Sequence, residues 1–133
     1  MGKQILVVDD DPFQRRIAEK YLTNRGFQVS TAGSGHEGLL FLKTHPELVE
    51  AIVTDISMPD MDGFAFSRSL KETYGSKAPP VVFISSYADV QNRVQSYKSG
   101  GEYFLAKPWD PDELMAVLLT VTRSRTPGDH EDS

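Results

Sequence analysis

The chain has 133 residues, of which 39% are hydrophobic and 25% are charged, and its formal net charge is −5 at pH 7. This length suits one compact domain, and this composition excludes a chain that is disordered throughout. The acidic balance, without a cluster of Lys and Arg, argues against direct binding to nucleic acid. The lack of cysteine excludes disulfides and thiolate metal sites and favours a cytoplasmic location. No apolar run approaches the ~20 residues that a membrane span requires.

Five short apolar runs predict β-strands. They lie at residues 5–8, 27–32, 51–53, 81–84 and 103–106, and the second and fifth are weaker than the others. Nearly continuous hydrophobicity, without alternating polar residues, is typical of strands that are buried on both faces of a parallel sheet.

The segments between these runs have the length of helices. The first helix is predicted to begin with Asp11 as its N-cap and Pro12 in its first turn, and to end at Gly26. The last helix begins in the same way with Asp110 and Pro111. It carries apolar residues at i, i+3, i+4 and i+7, namely Leu114, Val117, Leu118 and Val121. Three further helices are predicted over residues 35–44, 64–74 and 89–99.

Regular alternation of strands and helices predicts an α/β fold. The pattern favours a single doubly wound domain over residues 1–124, with an open five-stranded parallel sheet and helices on both faces. Residues 125–133 are polar and aperiodic, which predicts a disordered tail or a truncated linker. Ligands of such sheets bind at the carboxyl ends of the strands.

Acidic residues follow two of the predicted strands. Asp9 and Asp10 come directly after the first run, and Asp55 comes after the third. Crowded carboxylates repel one another unless a cation neutralises them, and an all-oxygen ligand set without His or Cys suits Mg²⁺. Lys107 and Ser85 follow the fifth and fourth runs and offer a positive charge and a hydroxyl to a phosphoryl group. Asp55 could then act as a nucleophile and form an aspartyl phosphate.

Each of these residues also has an ordinary structural interpretation. Asp9 and Asp10 could be turn residues, and Asp55 could begin a loop that contains Pro, Asp and Gly. Asp11 is better explained as a helix cap than as a metal ligand. The coincidence of four strand ends that all carry residues suited to one reaction favours the functional interpretation.

Four motifs resemble the receiver domain of two-component response regulators, and the resemblance covers residues 3–124. They are ILVVDDD at 5–11, VTDISMPDMDG at 53–63, FISS at 83–86 and Lys107-Pro108. The resemblance implies a flavodoxin-like fold with strand order 2-1-3-4-5. It also implies a cis peptide bond at Lys107-Pro108.

The same resemblance implies a role for each site residue. Asp55 would accept a phosphoryl group from a histidine kinase or a phosphotransfer protein, and Lys107 would pair with a phosphoryl oxygen. Mg²⁺ would be bound by Asp10, Asp55 and the backbone carbonyl of Ser57, with Asp9 acting indirectly. Ser85 and Phe104 would form the switch pair, although Phe104 lacks the hydroxyl of the tyrosine found in many relatives.

Phosphorylation would then change the face made by the fourth helix, the fifth strand and the fifth helix. The expected output is altered binding to a downstream protein, to an effector domain or to a second copy of the chain. Such a domain is a phosphoacceptor that assists its own phosphorylation and dephosphorylation rather than an enzyme. Trp109, next to Lys107-Pro108, either lines this output surface or is a half-buried packing residue.

Two alternatives stay open at this level. One is a receiver-like module that binds partners without phosphorylation. The other is a haloacid-dehalogenase-type phosphohydrolase, since Asp9 and Asp11 form an Asp-x-Asp pair after the first strand. The second is disfavoured because such enzymes need a later acidic pair and usually a cap, for which this chain is short.

Overall fold

Strands and helices alternate along the chain in the computed structural model, which describes residues 3–45, 47–87 and 89–123. The elements are β1 (Gln4–Val8), α1 (Pro12–Asn24), β2 (Gln28–Ala32), α2 (Gly35–Thr44), β3 (Ala51–Asp55), α3 (Gly63–Tyr74), β4 (Val81–Ser85), α4 (Val90–Lys98), β5 (Tyr103–Ala106) and α5 (Pro111–Arg123). A short 3₁₀ turn, Gly75–Lys77, follows α3. The predicted tail at 125–133 lies outside the described residues.

All five strands pair in parallel, in the order β2-β1-β3-β4-β5. The flavodoxin-like topology implied by the resemblance is therefore confirmed. In the centre of the sheet, Val8 of β1 lies opposite Thr54 of β3, so the residues that follow them emerge side by side. The register fixes which side chains meet at the carboxyl edge.

The sheet separates two hydrophobic cores, because alternate residues of a strand face opposite sides. On one side, Leu6 and Val8 pack with residues of α2 and α3, including Leu70. On the other side, Ile5 and Val7 pack with residues of α1 and α5. Helices therefore cover both faces, as predicted. No described helix is long and apolar enough to cross a membrane.

Side-chain caps set the starts of the helices. The carboxylate of Asp11 accepts hydrogen bonds from the amides of Phe13 and Gln14, and that of Asp110 accepts one from Asp112. The predicted caps of α1 and α5 are thus confirmed. Gly26, after α1, has a φ of 94°, a conformation that favours glycine.

The bounds of α2 and β5 match the predictions, whereas those of several other elements differ by one or two residues. Asp62 caps α3, which therefore begins at Gly63, and Asp89 caps α4, which therefore begins at Val90. Strands β3 and β4 extend to Asp55 and Ser85, so these two polar residues belong to the strands themselves.

Candidate functional site

Three carboxylates meet at the carboxyl edge of the sheet. Asp9 and Asp10 directly follow β1, and Asp55 is the last residue of β3. Carboxylate oxygens of these three residues all lie within 4.8 Å of one another. Asp9 is buried, Asp55 is half-buried and Asp10 is exposed, so the cluster opens to solvent on one side.

The buried Asp9 is held by its own backbone as well as by its carboxylate. Its amide donates to the carbonyl of Ala32 at the end of β2, and its carbonyl accepts from Nη1 of Arg15 at 2.7 Å. Its carboxylate accepts from the amide of Asp11 at 3.0 Å. Burial raises the pKa of Asp9 above its ordinary 3.8, despite this hydrogen bond and the positive charge of Lys107.

The two carboxylate oxygens of Asp55 have different partners. Oδ1 accepts hydrogen bonds from the amide of Ile56 at 2.7 Å and, at 3.4 Å, from that of Ser57. Oδ2 accepts from the ammonium group of Lys107 at 3.0 Å. The side chain is therefore fixed in orientation without being removed from solvent.

Lys107 follows β5 and reaches across the sheet edge into the cluster. Its ammonium group lies 3.7 Å from Oδ2 of Asp9 in addition to its contact with Asp55. Burial opposes the charged form of Lys107, but the two carboxylates outweigh this effect and raise its pKa above 10.5. Lys107 is thus a permanent cation at neutral pH. The Lys107-Pro108 peptide bond is cis, as the resemblance implied.

Ser85 and Phe104 lie on the two strands beyond β3. The buried hydroxyl of Ser85 accepts a hydrogen bond from the amide of Tyr87 at 2.9 Å. Phe104, opposite Phe83 on β4, is buried in the core, and the guanidinium carbon of Arg93 on α4 lies 5.0 Å from its ring centroid. The structure therefore connects Phe104 with α4 through a cation–π contact.

Ser57 lies in the loop between β3 and α3, beside an open cleft of about 650 Å³ that Asp10 also lines. Asn92 of α4 lines the same cleft. This loop passes close to the strand before it: the amide of Gly63 donates to the carbonyl of Ile56 at 2.8 Å. A Cβ on Gly63 would lie 2.4 Å from the carbonyl oxygen of Asp55, so only glycine fits there.

The structure brings Asp9, Asp10, Asp55 and Lys107 into direct proximity. Asp11 is not part of this cluster, because its carboxylate caps α1. Trp109 is half-buried and packs on Tyr21 with ring centroids 5.3 Å apart, which supports the packing interpretation. The sequence did not point to Arg15 or Asn92. For Arg15, the one available signal was its position, a positively charged residue one helical turn after the N-cap Asp11.

The donor set fits a hard divalent cation. The cluster offers only carboxylate oxygens, and the backbone carbonyl of Ser57 lies in the adjoining loop. Mg²⁺ prefers oxygen ligands, keeps several of its waters and takes one or two protein carboxylates. The open side of the cluster, at the exposed Asp10, leaves room for those waters and for a further ligand.

Comparison with known proteins identifies relatives of this chain. The family model described as "Response regulator receiver domain" matches residues 5–119. Response regulator Rre1 of Synechocystis sp. is 36% identical over 118 residues, which are 88% of this chain and 50% of that protein. Response regulator PleD of Caulobacter vibrioides is 37% identical over 123 residues, 92% of this chain and 27% of that protein. The chain thus spans half or less of these relatives.

Solved structures agree with the sequence comparison. Chemotaxis protein CheY4 of Vibrio cholerae has a TM-score of 0.83 and 26% identity, with 91% of this chain and 99% of that chain covered. The receiver domain of Francisella response regulator 1452 has a TM-score of 0.85 and 26% identity, with 94% and 100% covered. Together with the strand order and the acidic cluster, these matches show that the chain belongs to the response regulator receiver domain family of two-component systems.

Proposed function

We propose that Asp55 is the phosphoacceptor of this receiver domain, that Mg²⁺ binds beside it, and that a histidine kinase or a phosphotransfer protein is the donor. The observation that carries the proposal is the contact of 3.0 Å between Lys107 and Asp55 inside a cluster of three carboxylates. A purely structural ion pair needs one carboxylate, whereas here one lysine faces three clustered carboxylates, whose mutual repulsion a further cation would relieve.

In the proposed reaction, a carboxylate oxygen of Asp55 attacks the phosphorus atom of the donor. A new P–O bond forms as the P–N bond of a phosphohistidine breaks, and the electron pair of that bond leaves with the imidazole nitrogen, which takes up a proton. When bound, Mg²⁺ neutralises negative charge that develops on the phosphoryl oxygens. The product is an aspartyl phosphate.

The residues around Asp55 orient the nucleophile and balance charge. The amides of Ile56 and Ser57 fix one oxygen of the carboxylate, which leaves its direction set before the donor arrives. Lys107 supplies a positive charge to the phosphoryl oxygens. Asp10 and Asp55, with the carbonyl of Ser57, would hold the metal directly, and Asp9 would support it from its buried position.

We propose that Ser85 and Phe104 carry the phosphorylated state to the output surface. The Ser85 hydroxyl accepts from the Tyr87 amide, and among the described residues that is the only hydrogen bond it makes, so its own proton can be donated to a phosphoryl oxygen. Phe104 contacts Arg93, which ties this strand to α4. The face formed by α4, β5 and α5 then changes its affinity for a downstream protein, an effector domain or a second copy.

The proposal is tested by incubating the protein with acetyl phosphate and Mg²⁺ and measuring its intact mass. One phosphoryl adduct is expected for the wild type, and none for Asp55→Asn or without Mg²⁺. Asp60→Asn is the matched control, since it removes a carboxylate from the loop that follows β3 and lies outside the cluster, and it should leave the adduct intact. A wild-type protein that is folded and bound to Mg²⁺ but forms no adduct, and releases no phosphate, would contradict the proposal.

Release of phosphate in the same experiment measures dephosphorylation by the chain itself. We expect one phosphate per adduct as the aspartyl phosphate hydrolyses, with no turnover of a generic phosphate ester. Multiple turnover of such an ester would instead favour a phosphohydrolase. The folded position of Asp11, which caps α1 outside the cluster, supports the phosphoacceptor assignment over that alternative.

A further inference from the structure

Arg15 makes a contact with the acidic cluster that the phosphoryl chemistry does not require. Its Nη1 donates to the backbone carbonyl of Asp9 at 2.7 Å, a short distance that is typical of charge-assisted hydrogen bonds. The side chain is half-buried, and its own backbone amide donates to the carbonyl of Asp11 in the first turn of α1. The guanidinium is therefore carried by a rigid, capped helix.

The carbonyl that Arg15 holds belongs to the peptide unit between Asp9 and Asp10. Rotation of this unit changes ψ of Asp9 and φ of Asp10, and so redirects the Asp10 side chain. On the other side of Asp9, its amide is fixed to the carbonyl of Ala32. The amide of Asp11 holds the Asp9 carboxylate, but among the described residues Arg15 donates the only hydrogen bond to the Asp9-Asp10 peptide unit itself.

The junction between β2 and α2 leaves space for this guanidinium. A Cβ on Gly33 would lie 3.2 Å from Nη1 of Arg15, which is closer than ordinary van der Waals contact, and 3.7 Å from Oε2 of Glu37. Glycine at this position thus allows Arg15 to approach the Asp9 carbonyl. The φ of Gly33 is not in the positive range, so its backbone conformation does not require glycine. The glycine is explained instead by the space that the Arg15 guanidinium occupies.

We infer that Arg15 is a positioning residue for the metal site: through the Asp9 carbonyl it holds the Asp9-Asp10 peptide in the orientation that places the Asp10 carboxylate beside Asp55. The inference rests on the proposed function only in taking Mg²⁺ as the cation of this cluster. It gives Arg15 no contact with metal or phosphoryl group. Groups that orient metal ligands commonly affect affinity by about 10- to 100-fold when they are removed.

The test measures the free energy of unfolding by urea at a series of Mg²⁺ concentrations, for the wild type and Arg15→Gln. The value without metal reports the structural contribution of Arg15. The increase with Mg²⁺ reports metal affinity, because a ligand that binds only the folded state stabilises it by mass action. For Arg15→Gln, we expect the same increase to require about 10-fold more Mg²⁺.

Three further variants separate positioning from charge and from stability. Arg16→Gln removes the same charge from an exposed neighbour on α1 and should respond to Mg²⁺ as the wild type does. Gly33→Ala keeps the charge but crowds the guanidinium, and should shift the response in the same direction as Arg15→Gln. Arg15→Lys can donate one hydrogen bond to the carbonyl without the planar guanidinium, and should restore part of the affinity.

An Arg15→Gln protein that gains stability over the same range of Mg²⁺ as the wild type would overturn the inference, whatever its stability without metal. Equal shifts for Arg15→Gln and Arg16→Gln would overturn it as well, because the effect would then be one of net charge. A wild type that is stabilised by Mg²⁺ but forms no phosphoryl adduct would contradict the proposed function and leave the role of Arg15 standing. A wild type that does not respond to Mg²⁺ would contradict both.

Discussion

Asp55 ends β3 and Lys107 directly follows β5, on the opposite side of β4, yet the ammonium group of Lys107 lies 3.0 Å from a carboxylate oxygen of Asp55. The same ammonium group lies 3.7 Å from Asp9. A single cation is thus shared by two of three clustered carboxylates, and the cluster as a whole keeps a negative charge. This imbalance makes the site receptive to a divalent cation, and the two ion pairs of Lys107 are the basis of the first two predictions.

Replacement of Lys107 by Met is expected to slow phosphoryl uptake from acetyl phosphate by about 100-fold, since it removes a fixed positive charge from the reacting group. The rate is measured from intact mass against time at saturating Mg²⁺. Lys98→Met, which removes an exposed lysine from the end of α4, should keep the wild-type rate. Equal rates for Lys107→Met and the wild type would mean that Lys107 is only a structural partner.

Lys107→Met should also change the stability profile in alkaline solution. The pKa of Lys107 is raised above 10.5 by Asp55 and Asp9, so its stabilising charge is fully present at neutral pH and is lost as pH rises beyond 10.5. The free energy of unfolding of the wild type should therefore approach that of Lys107→Met above this pH. A difference between the two proteins that stays constant with pH would argue against the ion pairs.

Replacement of Asp9 by Asn should stabilise the metal-free protein at neutral pH. Because burial raises the pKa of Asp9 above 3.8, the folded protein takes up this proton before the unfolded chain does as pH falls. The free energy of unfolding of the wild type therefore falls as pH rises from 3.8 through the pKa of Asp9 in the folded protein. Asn carries no charge and avoids this fall. Urea unfolding between pH 4 and 7 checks this, with Mg²⁺ expected to stabilise the wild type more than the variant.

Gly63→Ala and Gly26→Ala form a pair that separates stability from geometry at the site. A Cβ on Gly63 would press on the Asp55 carbonyl, which should cost about 1–3 kcal/mol of stability and slow phosphoryl uptake. Gly26 has a φ of 94° but nothing within 4 Å of its Cβ position, so alanine there should cost about 1 kcal/mol through backbone strain alone. Phosphoryl uptake by folded Gly26→Ala should match that of the wild type. If uptake were slow in both variants, the slow uptake of Gly63→Ala would be a consequence of lower stability and not of altered geometry at Asp55.

Asp11→Ala tests the assignment of this residue as a cap. The loss of hydrogen bonds to the amides of Phe13 and Gln14 should lower the free energy of unfolding by about 1 kcal/mol. The phosphoryl adduct on folded protein should form at an unchanged rate. A folded variant that forms no adduct would show that Asp11 takes part in the reaction, as the Asp-x-Asp phosphohydrolase alternative requires.

The sequence predicted the elements because local chemistry determines them. The cap at Asp11, the stop at Gly26 and the apolar runs of β1, β3 and β4 all act within a few residues, and each was found in the structure. β2 was weaker in sequence because it is an edge strand, and its residues are less buried than those of the central strands. Strand order, by contrast, followed only from the resemblance to receiver domains.

The residues of the site could be predicted in part from their positions just after the predicted strands. Asp9, Asp10 and Asp55 were recognisable because parallel strands end at one edge, and Lys107 because it follows another strand. The contact of Arg15 could not be predicted from its place one helical turn after the Asp11 cap, since any backbone carbonyl can accept such a bond. The close approach of Gly63 to Asp55 likewise depends on the path of a loop, which the Pro, Asp and Gly residues indicate only as a turn.

The packing of Trp109 gives the protein an intrinsic optical probe. It is the single tryptophan of the chain, it packs against Tyr21, and it lines a small cavity together with Asp9, Asp55 and Lys107. Emission excited in the indole therefore originates beside the site and from nowhere else in the molecule. Any displacement of the Lys107 loop alters the surroundings of that one fluorophore, so events at the carboxyl edge can be followed in unlabelled protein, in real time and at micromolar concentration.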